Sequence, residues 1–151
     1  MIVNEIDLFK GIDPEVMEEI ANICSEEEYT KDTVLFEKGE EAECFYILEQ
    51  GTLNLVIKNG GSLIYGLTES GQVFGWSCMV ESGVYTASGV CGTDVMAVKI
   101  KREKLDKIFD RHPEIGLKVL KRLARVISQR LSNAYRDLLS ARGQDTTPSY
   151  G

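Results

Sequence analysis

The segment Gly39–Val56, GEEAECFYILEQGTLNLV, contains two short apolar runs on either side of a glycine. The runs are 44–48 and 53–57, and both are rich in the β-branched and aromatic residues that favour strands. Gln50-Gly51 lies between them, as expected of a turn. The segment therefore predicts two consecutive strands joined by a tight connection.

The same pattern of short apolar runs separated by turn residues continues in both directions, from about Tyr29 to Ile100. Asn59-Gly60-Gly61, between two apolar runs, is a strong hairpin signal. Short strands at such regular spacing predict a jelly roll or barrel instead of a parallel α/β sheet. The other predicted strands are 34–36, 63–65, 85–91 and 95–98.

Helical patterns flank the strands. Asp13-Pro14 offers an N-cap and a proline at the first position of a short helix ending near Ile23. A second short helix is predicted after Lys101, and Pro113 opens a long one that runs to about Arg142. The predicted fold is α+β: a β-jelly roll, or double-stranded β-helix, with one N-terminal and two C-terminal helices. Residues 1–142 would form the domain, with 113–142 as a dimerisation helix and 143–151 as a disordered tail.

The amino-acid composition argues against several classes of function. The chain has 151 residues, four cysteines without a Cys-x-x-Cys pair, and one histidine, His112. Neither a metal centre nor a Ser-His-Asp site can be assembled from these residues, so we expect no metal, no cofactor and no enzyme activity. No signal peptide or membrane span is visible, which predicts a cytoplasmic protein without a membrane partner.

The charge is unevenly distributed. The formal net charge is −7, yet residues 113–142 hold 7 Lys or Arg against 2 Asp or Glu. An acidic body is a poor surface for nucleic acid, so no direct nucleic-acid binding is expected.

The order of these elements, the 39–56 hairpin and the GQVFG sequence at 71–75 together resemble the cyclic-nucleotide-binding domain, and the resemblance covers residues 5–142. In that family the stretch after Phe-Gly is a phosphate-binding cassette, in which a glutamate binds the ribose hydroxyl and an arginine pairs with the cyclic phosphate. An ungapped match puts Trp76 on that glutamate and Tyr85 on that arginine. The resemblance therefore implies a family member with weak or absent cyclic AMP affinity.

Some ligand-binding groups would remain. Backbone N–H groups at the start of the cassette helix and the Thr86 hydroxyl favour an anion. By similarity the base would lie near Ala134 and Tyr135 of the long helix, and Arg130 is a candidate to replace the missing guanidinium. The predicted ligand-binding residues are Phe74, Gly75, Trp76, Ser77, Cys78, Tyr85, Thr86, Ala87, Ser88 and Tyr135.

The long helix has two apolar stripes. Val119, Leu123 and Val126 would pack on the roll, and a stripe with 3-4 spacing predicts a coiled-coil seam and a homodimer. The predicted dimerisation residues are Leu117, Leu120, Ala124, Ile127, Leu131, Ala134 and Leu138.

Three hypotheses stay open. The first is a stand-alone regulatory or sensor domain whose altered cassette binds another small ligand, or cyclic AMP only weakly. The second is a ligand-free dimeric scaffold whose pocket is filled by Trp76 and Tyr85. The third is an effector fragment of a Crp/Fnr-type transcription regulator. An open, polar-tipped pocket between cassette and roll favours the sensor, and a filled pocket favours the scaffold.

Overall fold

The computed structural model describes residues 3–80 and 83–145. Eight strands form two four-stranded antiparallel sheets, in the orders β1-β8-β3-β6 and β2-β7-β4-β5. The strands are β1 Cys24–Tyr29, β2 Val34–Phe36, β3 Cys44–Gln50, β4 Leu53–Lys58, β5 Ser62–Leu67, β6 Val73–Phe74, β7 Ser88–Cys91 and β8 Val95–Lys101, and the helices are α1 Pro14–Ile23, α2 Arg102–Arg111 and α3 Pro113–Asp145. The predicted jelly roll with three helices is confirmed.

Both sheets and all three helices contribute to one hydrophobic core. Strand β3 lies between β8 and β6, and its first five residues are all buried. Both of its faces are covered, which explains the continuous apolar run in place of an alternating pattern.

Helix α1 begins as predicted. The Asp13 side chain accepts a hydrogen bond from the Glu15 backbone N–H at 3.0 Å, and Pro14 occupies the first turn. Val16 and Ile20 are buried against the roll. The N-cap therefore stabilises the start of the helix, and one apolar face of the helix is buried in the core.

Strand β1 was not predicted from the sequence, which placed the start of the strand region near Tyr29. Its sequence, CSEEEY, contains three consecutive glutamates, which have low strand propensity. It is the edge strand of its sheet and pairs only with β8, from Cys24↔Ile100 to Tyr29↔Val95. Pairing with β8 overrides local propensity, and charged residues suit an edge because they discourage further pairing.

The ends of several other elements differ from prediction, and β6 was not predicted as a strand. Strand β7 begins at Ser88 and not at Tyr85, which has a different role described below. Helix α3 continues to Asp145, three residues past its predicted end. Residues 146–151 of the predicted disordered tail lie outside the described residues, so that part stays a prediction.

The predicted inner stripe of α3 is buried, but the element that α3 mainly contacts is α2 and not the predicted partner, the roll. Val119 and Leu123 are buried, with 1% and 5% of their surface exposed. Arg122 donates hydrogen bonds from Nη1 to the carbonyl oxygens of Lys10 at 2.5 Å and Leu8 at 3.3 Å. These contacts fix the first half of α3 against the N-terminal segment.

The described part of the chain lacks two features that would indicate other classes of protein. Within it, no helix combines the length and apolarity that crossing a membrane requires. Nor does it bring three or more His, Cys, Asp or Glu side chains together as a metal site would need.

We predict that Gly89→Ala destabilises the domain. A Cβ at Gly89 would lie 2.7 Å from two ring atoms of Phe36, far inside normal contact distance. Overpacking of this kind costs about 1–3 kcal/mol of unfolding free energy, measurable by urea denaturation. Gly61→Ala is the matched control, because a Cβ there meets nothing within 4 Å. Equal stability of the two variants would contradict the prediction.

Candidate functional site

The first half of the cassette runs from β6 into one short helical turn. Val73 and Phe74 pair with Ile47 and Tyr46 of β3, and Gly75 then adopts a left-handed conformation with φ of 73°. A 3₁₀ helix of four residues, Trp76–Met79, follows. Gly75 is required here, since a Cβ would also lie only 3.2 Å from the Tyr46 ring.

The second half of the cassette is organised by Tyr85. Its backbone N–H donates to the carbonyl of Glu40 at 3.0 Å, and its hydroxyl donates to the carbonyl of Cys44 at 2.6 Å. The side chain is 5% exposed. Burial raises the pKa of the Tyr85 phenol, so the hydroxyl remains a neutral donor. The residue in the arginine position is therefore directed at the protein's own backbone.

Four aromatic rings fill the space beneath the cassette. The ring of Tyr85 stacks on that of Phe36, with centroids 4.0 Å apart and planes 16° from parallel. Phe36 also stacks with Tyr46 and Phe74, and those two rings lie 5.1 Å apart. Such stacked pairs stabilise beyond their buried area by about 0.5–1.5 kcal/mol each.

Little space is left between the cassette and the roll. The remaining cavity has a volume of about 50 Å³, against roughly 300–1,000 Å³ for pockets that bind drug-sized ligands. The cavity is lined by Phe36, Leu55, Gly75, Trp76, Ser77, Tyr85, Thr86, Ala87 and Arg130. By the volume criterion, the cassette of this structure favours the side-chain-filled hypothesis.

Among the described residues that line this cavity, Arg130 is the cationic one. Its guanidinium carbon lies 4.4 Å from the centroid of the Trp76 ring, within cation–π distance, and Nη2 donates to the carbonyl of Val73 at 2.8 Å. Burial lowers the pKa of Arg130, although a guanidinium stays charged in proteins. Helix α3 thus covers the cassette through a single arginine.

Most predicted ligand-binding residues are brought together. Trp76, Ser77, Tyr85, Thr86 and Ala87 line the cavity with Gly75. Phe74 and Cys78 are buried, and Ser88 Oγ accepts a hydrogen bond from the Lys38 backbone at 3.0 Å. These positions agree with the expected cassette, while their role in binding a ligand stays a prediction.

Tyr135 is not brought to the cassette. It is 58% exposed and lines neither the cavity nor the larger groove described below. The residue of α3 that reaches the cassette is Arg130, one turn earlier than the expected base-facing pair. The sequence signal for it was the single basic residue between seam positions Ile127 and Leu131.

The four cysteines are free thiols, and three of them are buried. Burial raises the pKa of Cys78, inside the cassette, to about 12. A thiol with this pKa is almost entirely protonated at neutral pH and is a poor nucleophile.

The fold and site together define a β-roll domain with a phosphate-type cassette that is covered by a C-terminal helix. The chain belongs to the cyclic nucleotide-binding domain family, whose model matches residues 26–112, more than half of the chain.

Relatives and solved structures agree with this assignment. The chain is 24% identical over 140 residues to a CRP-like cAMP-activated global transcriptional regulator of Mycobacterium tuberculosis, covering 91% of this chain and 62% of the regulator. It spans 62% or less of the length of the curated relatives compared with it.

Two solved structures share the fold. A cyclic nucleotide-binding domain from Methylobacillus flagellatus superposes with a TM-score of 0.78 at 22% identity, covering 99% of this chain and 83% of that one. A regulatory subunit of a cAMP-independent protein kinase A from Trypanosoma brucei, a triple mutant bound to cAMP in the A site, has a TM-score of 0.72 at 21% identity. It covers 91% of this chain and 48% of that one.

We predict that Tyr85→Phe destabilises the domain by about 1–3 kcal/mol, because it leaves the buried Cys44 carbonyl without the hydroxyl donor. Urea denaturation measures the change. Tyr135→Phe is the matched control, since it removes the same atom from a side chain that is 58% exposed. A loss as small as that of the control would mean that the Tyr85 hydrogen bond does not stabilise the cassette.

Proposed function

We propose that this chain is a regulatory domain of the cyclic nucleotide-binding family whose cassette has little or no affinity for cyclic AMP. The observation that carries the proposal is the Tyr85 hydroxyl, hydrogen-bonded to the Cys44 carbonyl in the arginine position. A regulatory role, as opposed to a catalytic one, is supported by the transcriptional regulator among its relatives. Cytoplasmic location and the absence of nucleic-acid binding stay predictions.

Both the charge and the volume of the cassette oppose cyclic AMP. A guanidinium gives a cyclic phosphate charge-assisted hydrogen bonds worth about 1.5–3 kcal/mol each, whereas a tyrosine offers one neutral bond. Here that bond is already used within the protein. A nucleotide would also have to displace Trp76 and Tyr85 from a cavity of about 50 Å³. Both effects act against cyclic AMP.

A relative offers a precedent for reversing this state. The trypanosome kinase subunit is described as cAMP-independent, and its triple mutant, one of whose changes introduces an arginine, is bound to cAMP. By analogy, introducing an arginine in place of Tyr85 would favour cyclic AMP binding by this cassette; the same mutant also loses a glutamate, so it is a precedent for the arginine alone.

The prediction is that wild-type protein shows little or no cyclic AMP binding by calorimetry, whereas Trp76→Glu with Tyr85→Arg binds measurably. Restoring a phosphate contact of about 3 kcal/mol corresponds to roughly a hundredfold in affinity. Trp76→Glu alone is the control, because it opens the cavity and adds a carboxylate without the phosphate partner.

Tight cyclic AMP binding by the wild type would refute the proposal, and it would point to Arg130 as the replacement guanidinium. Circular dichroism of the double variant establishes that it is folded before its affinity is interpreted, because removing Trp76 can collapse the cavity.

A dimeric arrangement forms the second part of the proposal. The seam residues Leu117, Leu120, Leu131 and Leu138 are 43–59% exposed on one protomer, a large apolar surface for a single stripe. Their 3-4 spacing fits a second copy of the same helix. A homodimer formed through α3 would be compatible with both the scaffold hypothesis and a regulatory role, because α3 also carries Arg130, which contacts the cassette.

We predict that Leu131→Glu converts the dimer to a monomer, because it buries a charge in the seam. Light scattering at roughly 50 μM measures the mass, well above the dissociation constants of about 1 μM or lower that sizeable interfaces reach. Ser132→Glu is the matched control, adding the same charge at an exposed position outside the seam. A monomeric wild type would contradict the prediction.

A further inference from the structure

A second and much larger opening lies beside the cassette. It is a groove of about 790 Å³, bounded by the N-terminal segment, by Tyr65 of β5, by residues 70–73 up to the first residue of β6, and by α3 from Arg122 to Asn133. Its volume is in the range of roughly 300–1,000 Å³ typical of small-molecule pockets. Neither Tyr85 nor any residue of the 3₁₀ turn lines it. The groove is therefore a separate space from the cassette cavity.

The groove is cationic in an otherwise acidic protein. Four basic side chains, Lys10, Arg122, Arg125 and Arg130, line it, against the two carboxylates of Glu5 and Asp7. The whole chain has a formal net charge of −7. Positive charge gathered in a concave surface focuses the field and attracts anions.

These cations are not neutralised by ion pairs. Among the side chains that the structure describes, the salt bridges join residues of α1 and α2 or lie within α2 and at its end, and none involves the four groove cations. Arg122 donates hydrogen bonds to two backbone carbonyls. Arg125 is exposed to solvent. The groove thus presents charged donors that lack an anionic partner.

Arg130 provides an independent sign of a missing ligand. Its Nη2 is bonded to the Val73 carbonyl, but its Nη1 is buried and has no hydrogen-bond partner. A buried donor without an acceptor destabilises a structure, and more so when it belongs to a charged group. Arg130 lines both the groove and the cassette cavity, so an anion in the groove lies beside the group that lacks an acceptor.

We propose that this groove is a binding site for a small-molecule polyanion with phosphate-type oxygens, held by Arg125 and Arg130. Arginine side chains suit such oxygens because their planar forks donate two hydrogen bonds at once. Gln129 and Asn133, which also line the groove, add neutral donors on the same face of α3. The inference goes beyond the proposed function, because it concerns a space that neither Tyr85 nor the 3₁₀ turn of the cassette lines.

The test is calorimetric titration of the full chain with inorganic tripolyphosphate at low ionic strength. We expect saturable binding, and a loss of about tenfold or more in affinity for both Arg125→Gln and Arg130→Gln, since a charged hydrogen bond is worth at least about 1.4 kcal/mol. Arg136→Gln is the matched control, which removes the same charge from the same helix outside the groove. We expect it to change the affinity less than threefold.

A second pair of variants tests whether removing negative charge from the groove has the opposite effect on affinity. Glu5→Gln removes a carboxylate from the groove and should strengthen tripolyphosphate binding, whereas Glu114→Gln, at the start of α3 and outside the groove, should not. Absence of binding by the wild type, or equal effects of Arg125→Gln and Arg136→Gln, would overturn the proposal. Arg125 is exposed, so its variant remains informative even if Arg130→Gln does not fold. Either failure leaves the cyclic AMP experiment on the cassette unaffected.

Discussion

The stacking of Tyr85 on Phe36 is the contact on which the cassette depends. It places a neutral, buried ring 4.0 Å from its partner in the space beneath the cassette. Gly89 makes the stack possible by leaving room beside Phe36, and Gly75 does the same beside Tyr46. Two glycines and four rings therefore fill this part of the core with packed side chains.

Arg130 extends this closure to the long helix. Its guanidinium contacts Trp76 and the Val73 carbonyl at once, so a cation–π contact and a charged hydrogen bond join α3 to the cassette. The same arginine borders the cationic groove, so it is the physical connection between two separate spaces.

Much of the fold was accessible to sequence reasoning because its signals are local. The bounds of β2 were predicted to the residue from a short apolar run, and the start of α1 was predicted from an N-cap with a following proline. Strand β1 was missed because three glutamates carry no strand signal, and only pairing with β8 makes the segment extended. Tyr85 was assigned to a strand because alternation cannot distinguish a strand residue from one held by backbone bonds to Glu40.

The sequence by itself determined the family, the composition of the cassette and the absence of its charged pair, since each depends on which residues occupy a motif. Only the tertiary structure decided which side chains fill the space beneath the cassette. The bond from Tyr85 to Cys44 joins residues 41 positions apart, and that from Arg130 to Val73 joins residues 57 positions apart. Contacts between residues so far apart in sequence depend on how strands and helices dock. Hydrophobic periodicity and local propensity carry no information about that docking.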